Sequence, residues 1–525
     1  MTKKITKYIA IVFILIISII KANAQNQNIS NASVFEGEPY IVVNPKNTQN
    51  IVVAWMGFVF GNTGRLSIKI RTSFDAGKTW NKTITMPHIV PSTFKSADPS
   101  MVFDENGNLF LSYIDYRESP DSGGVYLYKS VNGGASWGAP VKMIDVDADP
   151  GKSAIDRPFI AINEGGDKLY LTTKPAPWIA APNRPYYTCS IDSGKTWSQW
   201  RYIDTAGYLV GNLIQAPMAA PIAIGNNFYA AYPSYVTSQN VYAQYILAST
   251  SNNGNSFSYH KIISGNTGAN NDSAKIVYKL LVNPADSNHL VFIYPYSALG
   301  DIDVMMTETY NAGNTWTAPI RINDDTKSNG KMQDLIWGDF DTDGDLIISW
   351  RDRRNATGNG YATASEFYAA FRDKDSAVFS ANFKLSDSLV AYNNILAQNG
   401  NDFMGISLEN DTISAVWANT RDGSLDVWFV RTAAKTGKIT SVSLIESESF
   451  DINIYPNPSS GIYYIEMNDQ SMIDGINIYN TVGENVLQAN YKSTTLEVDL
   501  SEKPSGIYIF SIESKGRIFR KKVIR

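Results

Sequence analysis

The sequence predicts an all-β chain: repeated blades of short strands set around an axis, then a small antiparallel sandwich. Three observations carry this. One octet recurs five times at a period near sixty residues, and each period opens with two short apolar strands. The residues after 450 alternate apolar with polar side chains. Composition agrees, with Tyr 30, Trp 11 and Gly 37 and few long polar helical patterns.

The octet is clearest at Ser73–Trp80 (SFDAGKTW) and Ser190–Trp197 (SIDSGKTW). Ser130–Trp137 and Thr309–Trp316 carry Asn for Asp, and Thr250–Phe257 ends in Phe. Third positions fall at 75, 132, 192, 252 and 311, so successive differences are 57, 60, 60 and 59. An Asp or Asn oxygen can accept backbone N–H groups across a tight turn, so the exchange keeps the function of Asp75, Asn132, Asp192, Asn252 and Asn311. Glycine two places on can take positive φ. The terminal aromatics Trp80, Trp137, Trp197, Phe257 and Trp316 are expected in the core. The octet is therefore a structural staple, not a catalytic motif.

These five copies resemble the Asp-box, or bacterial neuraminidase repeat, of the sialidase superfamily. The resemblance implies a β-propeller of four-stranded blades with each Asp-box between the third and fourth strands. Seven strand openings are counted, at Pro39–Val43, Pro99–Phe103, Pro158–Ile162, Pro217–Ile224, Tyr278–Val282, Leu335–Phe340 and Phe403–Leu408. Seven blades are thus favoured, with six, the number in sialidases proper, as the alternative. The sixth staple is degenerate around Phe371–Phe379. Residues near Asn28–Ser33 are expected to supply the last strand, because closing the ring removes exposed edges.

Residues 1–24 read as a secretory signal: Lys3, Lys4 and Lys7, an apolar run from Tyr8 to Ile20, and a small-x-small site at Ala22-Asn23-Ala24. No membrane span is expected after processing. With 45 basic against 50 acidic residues and net charge −5, a generic nucleic-acid partner is excluded. His88, His260 and His289 stand far apart, and the single Cys189 can form no internal disulfide.

The propeller is assigned to residues 25–436 and a Ser/Glu-rich linker to 437–450. Residues 451–525 begin with YPNPSSG (from Tyr455), carry Gly506-Ile507-Tyr508 and end in Arg520-Lys521-Lys522. They resemble the type A C-terminal sorting domain of the type IX secretion system of Bacteroidota. That implies export across both membranes, to the cell surface or the medium, with the secretion machinery as a partner.

Chemistry is sought on the face opposite the Asp-boxes, which holds the funnel in this fold. Inner strands begin with Glu38, Asp98, Asp156, Asp334 and Asp402, read either as a cation or polyol site at the channel mouth or as solvated strand caps. Loops after the second strands supply Arg117, Trp178, Arg353 and Arg421. With Arg157 these are the candidate glycan-binding residues, since aromatic faces stack on sugars and Arg forks grip carboxylates. Asp115 and Asp352 are the candidate acids. Sialidases hold their substrate with three arginines, the first in an Arg-Ile-Pro motif, whereas the matching strand start here reads Glu38-Pro39-Tyr40. Asp339, Asp341, Asp343 and Asp345 alternate as in the start of a calcium loop, and an Asp-Gly hairpin explains them equally. No cofactor is required. The readings carried forward are a glycan-binding propeller, a sialidase-like glycoside hydrolase acting on acidic glycans, and a protein-binding scaffold.

Overall fold

The computed structural model describes residues 26–32, 34–59, 65–117, 122–146, 155–175, 184–206, 219–234, 244–264, 277–297, 299–393, 401–435, 452–467, 472–480, 484–514 and 517–525. The signal at 1–24, Trp178 and the linker at 437–450 lie outside the described residues. The chain divides into two units, Met1–Thr440 and Ser441–Arg525.

The first unit is a seven-bladed β-propeller. Seven four-stranded antiparallel sheets follow one another along the chain. Blade one is Glu36–Val43, Ile51–Val59, Arg65–Ser73 and Ile84–Thr85. The inner strands of blades two to seven are Phe94–Phe103, Ile155–Ile162, Ala220–Ile224, Lys279–Asn283, Gln333–Phe340 and Gly405–Glu409. Second strands read as unbroken apolar runs because each is covered on both faces by neighbouring blades. Leu346–Asp352 is buried at every position.

Blade seven closes the ring. Its outer strand is Gln27–Asn28, with Gln27 opposite Phe429 and Asn28 opposite Trp428. The closing strand therefore starts one residue before the expected Asn28 and is only two residues long. Beyond it the chain turns away on Asp426, whose Oδ1 accepts from Ser30 Oγ at 2.6 Å and from Ala32 N at 2.9 Å.

The Asp-box turns have one geometry. In blade one, Asp75 Oδ1 accepts from Thr79 N at 2.8 Å, and Oδ2 accepts from Thr79 Oγ1 at 2.6 Å. Where Asn replaces Asp, the carbonyl oxygen keeps the first bond. The amide reverses the second: Asn132 Nδ2 donates to Ser136 Oγ at 2.8 Å. The residue before each box glycine is also left-handed, with φ 64° at Ala76, 58° at Ser193, 58° at Asn253 and 56° at Ala312.

Each box is seated on the preceding blade. A Cβ on Gly77 of blade one would lie 2.4 Å from the Phe429 ring of blade seven. Cβ atoms on Gly134, Gly194, Gly254 and Gly313 would strike Thr72, Leu127, Tyr187 and Leu247, always on the third strand of the blade before. The box aromatics join this contact and are half-buried rather than sunk in the core. Trp80 meets Phe429 edge-on at 5.0 Å, and Phe257 meets Tyr187 at 5.3 Å. The staple thus binds blade to blade as well as strand to strand.

A second turn repeats on the same face, between first and second strands. Asn44, Asp104, Asn163, Asn283 and Asp341 each end or follow an inner strand and accept backbone N–H groups from their own turn or lie within reach of the next blade's glycine. This is an Asx turn.

The second unit is a two-sheet antiparallel sandwich. One sheet holds Ile452–Tyr455, Ile462–Met467 and Thr495–Asp499. The other holds Ile473–Asn480, Asn485–Ser493, Ile507–Ser514 and Arg517–Ile524. Tyr463, Ile465, Ile476, Ile478, Phe510 and Ile512 fill the space between them.

Three substitutions separate these contributions. Gly225 is left-handed with φ 56° and open space around it, so Gly225→Ala carries only the conformational cost, about 1 kcal/mol. Gly254→Ala adds a clash with Tyr187 and should cost at least ~2 kcal/mol more. Asp75→Asn should stay within about 0.5 kcal/mol, since three boxes already use Asn. Thermal melting of the three variants checks the order.

Candidate functional site

The inner strands bulge where they start. Register shifts fall at Gly37/Tyr40, Ala97/Ser100, Asp156/Phe159 and Asp334/Trp337. The residue at each bulge is left-handed: Glu38 (φ 53°), Asp98 (56°), Arg157 (52°) and Leu335 (50°). Three of these precede proline, where the chain ordinarily stays extended. Such strain persists only where the surroundings impose it, and it is commonest at functional sites.

The bulges bring charged groups from four blades together. Arg157 Nη2 donates to Asp402 Oδ2 of blade seven at 2.7 Å, and its backbone N donates to Asp98 Oδ2 at 3.0 Å. Lys174 Nζ donates to Asp156 Oδ2 at 2.6 Å. Glu38 lies beside Asp98, and Asp98 beside Asp156. Burial, reinforced by Asp98 and Asp402, holds Glu38 well above the ordinary carboxylate range. Burial and neighbouring Asp156 push Asp98 up to about 7. Asp156 goes the other way: burial opposes its charge, but Lys174 and Arg157 hold it below the ordinary range. The surroundings thus favour the protonated form at Glu38 and Asp98 and the charged form at Asp156. Glu38 is buried, and its Oε2 has no hydrogen-bond partner.

Below this mouth lies an aromatic floor. Tyr40 meets Trp337 at 5.6 Å, Phe159 meets Phe403 at 5.5 Å, and Trp337 meets Phe403 at 6.1 Å. Arg157 lies 5.1 Å from the Phe403 centroid, and Lys279 Nζ lies 3.8 Å from that of Trp337. On the Asp-box side of the floor is an axial cavity of about 400 Å³ lined in part by Lys279, Asp339, Ser407 and Glu409. Burial lowers Lys279 to about 8, raises Asp339 to about 7 and, aided by Asp339 and Asp341, raises Glu409 to about 8.

The five expected strand-start acids do not act alike. Asp334 stands one residue before its bulge, as Asp156 does, and pairs across to the second strand. Its carboxylate takes Arg351 Nε at 2.8 Å and Nη2 at 2.6 Å, and Arg353 Nη1 at 3.1 Å. Arg353 is therefore sealed inside blade six, 2% exposed. Asp352 is sealed beside it, accepting from Trp350 Nε1 at 2.6 Å and from Arg354. Arg421 pairs with Asp387 and lies 4.0 Å from the Trp428 ring. Arg157, Arg353 and Arg421 thus hold three different carboxylates and form no shared clamp. Arg117 ends the second strand of blade two at the surface.

Asp115 is buried in a network that sequence spacing did not expose. His88 Nδ1 lies 2.8 Å from its Oδ1, Ser96 Oγ donates to the same oxygen at 2.9 Å, and Ile89 N donates to Oδ2 at 2.6 Å. Ser67 Oγ is 2.9 Å from His88 Nε2. His88 comes from the connection between blades one and two, 27 residues from Asp115 in sequence, so no local motif signals it.

The carboxylates of Asp341, Asp343 and Asp345 lie within 4.8 Å of one another and could hold a cation. Burial and the neighbouring Asp343 raise Asp341 to about 6. Asp339 stands apart from this set. It is on the inner strand, before the turn, and its Oδ2 accepts from Leu408 N of blade seven at 2.9 Å. The Asx turn separates groups that alternate in sequence.

The comparisons with known proteins bear mainly on the second unit. Residues 453–525 match the Secretion system C-terminal sorting domain. This chain is exported. The sorting domain directs it through the type IX route to the cell surface or beyond. Among the described residues no helix is long and apolar enough to cross a membrane. No curated protein sequence matches the chain. Among solved structures, the propeller resembles the NanB sialidase from Streptococcus pneumoniae at 12% identity, over 78% of this chain and 70% of that one, with TM-score 0.39. It resembles an alpha-L-arabinanase of Penicillium chrysogenum at 16% identity (62% and 92%, TM-score 0.40). It also resembles a PL25 ulvan lyase at 8% identity (82% and 94%, TM-score 0.42).

Two outcomes follow from the charged groups. Carboxyls raised by folding, Asp98 and Asp339 at about 7 and Glu409 at about 8, stabilise fully below the ordinary carboxylate range and lose that contribution as pH rises through those values. The melting temperature should therefore fall between about pH 5 and pH 8, and fall less in Asp98→Asn. Asp334→Ala leaves two buried guanidinium groups unpaired and should cost about 3–5 kcal/mol by denaturant unfolding.

Proposed function

We propose that the exported propeller binds glycans at the mouth of its axial channel, on the face opposite the Asp-boxes. The observation that carries this is the strained ring of Glu38, Asp98, Asp156, Arg157 and Asp402 over an aromatic floor. A few convergent polar groups above apolar rings suit a sugar, whose ring faces are apolar and whose edge carries hydroxyls.

Binding is favoured over hydrolysis by geometry. A retaining glycosidase keeps its two carboxyl groups ~5 Å apart and an inverting one keeps them farther apart. Here Glu38, Asp98 and Asp156 are near neighbours at the mouth, while the expected acids Asp115 and Asp352 are buried in hydrogen-bond networks of their own. A clamp for an acidic sugar is not supported either, since Arg157, Arg353 and Arg421 each already hold their own carboxylate.

The full exported chain should be retained on an immobilised glycan array and release no free sugar. Arg157→Gln releases Asp402 and loosens the ring, and should weaken retention roughly ten-fold. Retention unchanged in that variant would place the site elsewhere, and steady release of sugar would establish hydrolysis instead.

A further inference from the structure

The described residues bring more carboxyl groups than cations to the mouth. Among the described residues, Glu38 from blade one, Asp98 from blade two, Asp156 from blade three and Asp402 from blade seven are opposed there by Arg157 and Lys174. Both cations are committed, Arg157 to Asp402 and Lys174 to Asp156. Glu38 and Asp98 are left without a cation of their own, and Glu38 Oε2, in a residue only 4% exposed, has no partner. A buried carboxyl oxygen without a partner calls for an explanation, and a ligand group is one.

The missing partner is a hydrogen-bond donor, and a cationic one would take the place of the proton that burial otherwise favours there. A compact metal ion fits poorly. Three ligand atoms lie within 4.8 Å of one another only at Asp341, Asp343 and Asp345 among the described residues, so no three mouth carboxyls offer one ion that set. A larger ligand with one cationic donor fits better. The floor agrees, since its rings already accept cations, with Lys279 on Trp337 at 3.8 Å and Arg157 on Phe403 at 5.1 Å.

We propose that the mouth selects a sugar bearing a free ammonium, a deacetylated hexosamine unit, with Glu38 and Asp98 as its acceptors. This rests on the glycan-binding reading and narrows its ligand class. An ammonium offers three donors and suits the carboxyl groups of Glu38, with its orphaned Oε2, and Asp98. N-acetylation removes the charge and two of those donors, so it should be disfavoured.

The experiment is titration calorimetry on the full chain at about pH 7, where such an amine is still largely charged. Three probes are compared: a glucosamine oligosaccharide, its N-acetylated counterpart and sialyllactose. The amine form should bind roughly ten- to a hundred-fold tighter than the acetylated one. Glu38→Gln keeps the shape of the side chain and should cut that preference to about two-fold, and Asp98→Asn should act in the same direction. A melting curve on each variant confirms that it is folded. Equal or tighter binding of the acetylated or sialylated probe overturns the proposal and leaves the glycan reading in place. A preference that survives both variants also overturns it. Binding of none of the three, with a blank array, overturns both.

Discussion

The propeller depends on one contact made over and over: a turn without a side chain, seated on the blade before it. At each Asp-box the chain is left-handed for two successive residues, and the glycine comes so close to the preceding third strand that a Cβ would overlap Phe429, Thr72, Leu127, Tyr187 or Leu247. The Asp or Asn holds the turn, the glycine allows the approach, and the half-buried aromatic covers the seam. Blade one uses this contact to seat on blade seven, so the same device that spaces the blades also closes the ring. The outer strand Gln27–Asn28 needs to supply only two residues because the seam already holds the two ends together.

Closure has a consequence at the other face. Seven inner strands converge on one axis, and polar groups at their starts must find partners there or remain unpartnered. Blade six settles this within itself, with Asp334 gripping Arg351 and Arg353. Blade three does the same with Asp156 and Lys174. Blades one and two bring carboxyls and no cation of their own to the bulge, and they lean on Arg157 and on protons. Stability and binding are therefore coupled at the mouth. The groups that hold protons when it is empty are those that would receive a ligand's charge.

Much of the scaffold was legible in the residues. The octet spacing, the seven strand openings and the YPNPSSG run all report local chemistry, and local chemistry survives without a structure. The candidate site was legible only in part. Glu38, Asp98, Asp156 and Asp402 stood out as strand-start acids, and Arg157 as the one arginine at such a start. Arg353 and Asp352 looked like loop polarity beside them but are sealed in blade six. They lie at the end of the second strand, where Asp334 of the inner strand takes Arg353 and the Trp350 indole takes Asp352. The Asx turns at Asn44, Asp104 and Asn283 were not singled out in the sequence, and only the close approach of the next blade's turn gave them meaning.

By itself the sequence determined what short stretches can specify: strands by their alternation and burial, turns by Asp, Asn and Gly, and export by a terminal address read by other machinery. The tertiary structure alone decided which charges meet. Arg157 and Asp402 are 245 residues apart and touch because the ring closes. Whether a carboxyl carries a proton or a charge depends on that closure, since burial and neighbouring charges act over a few ångströms of space and take no account of distance along the chain.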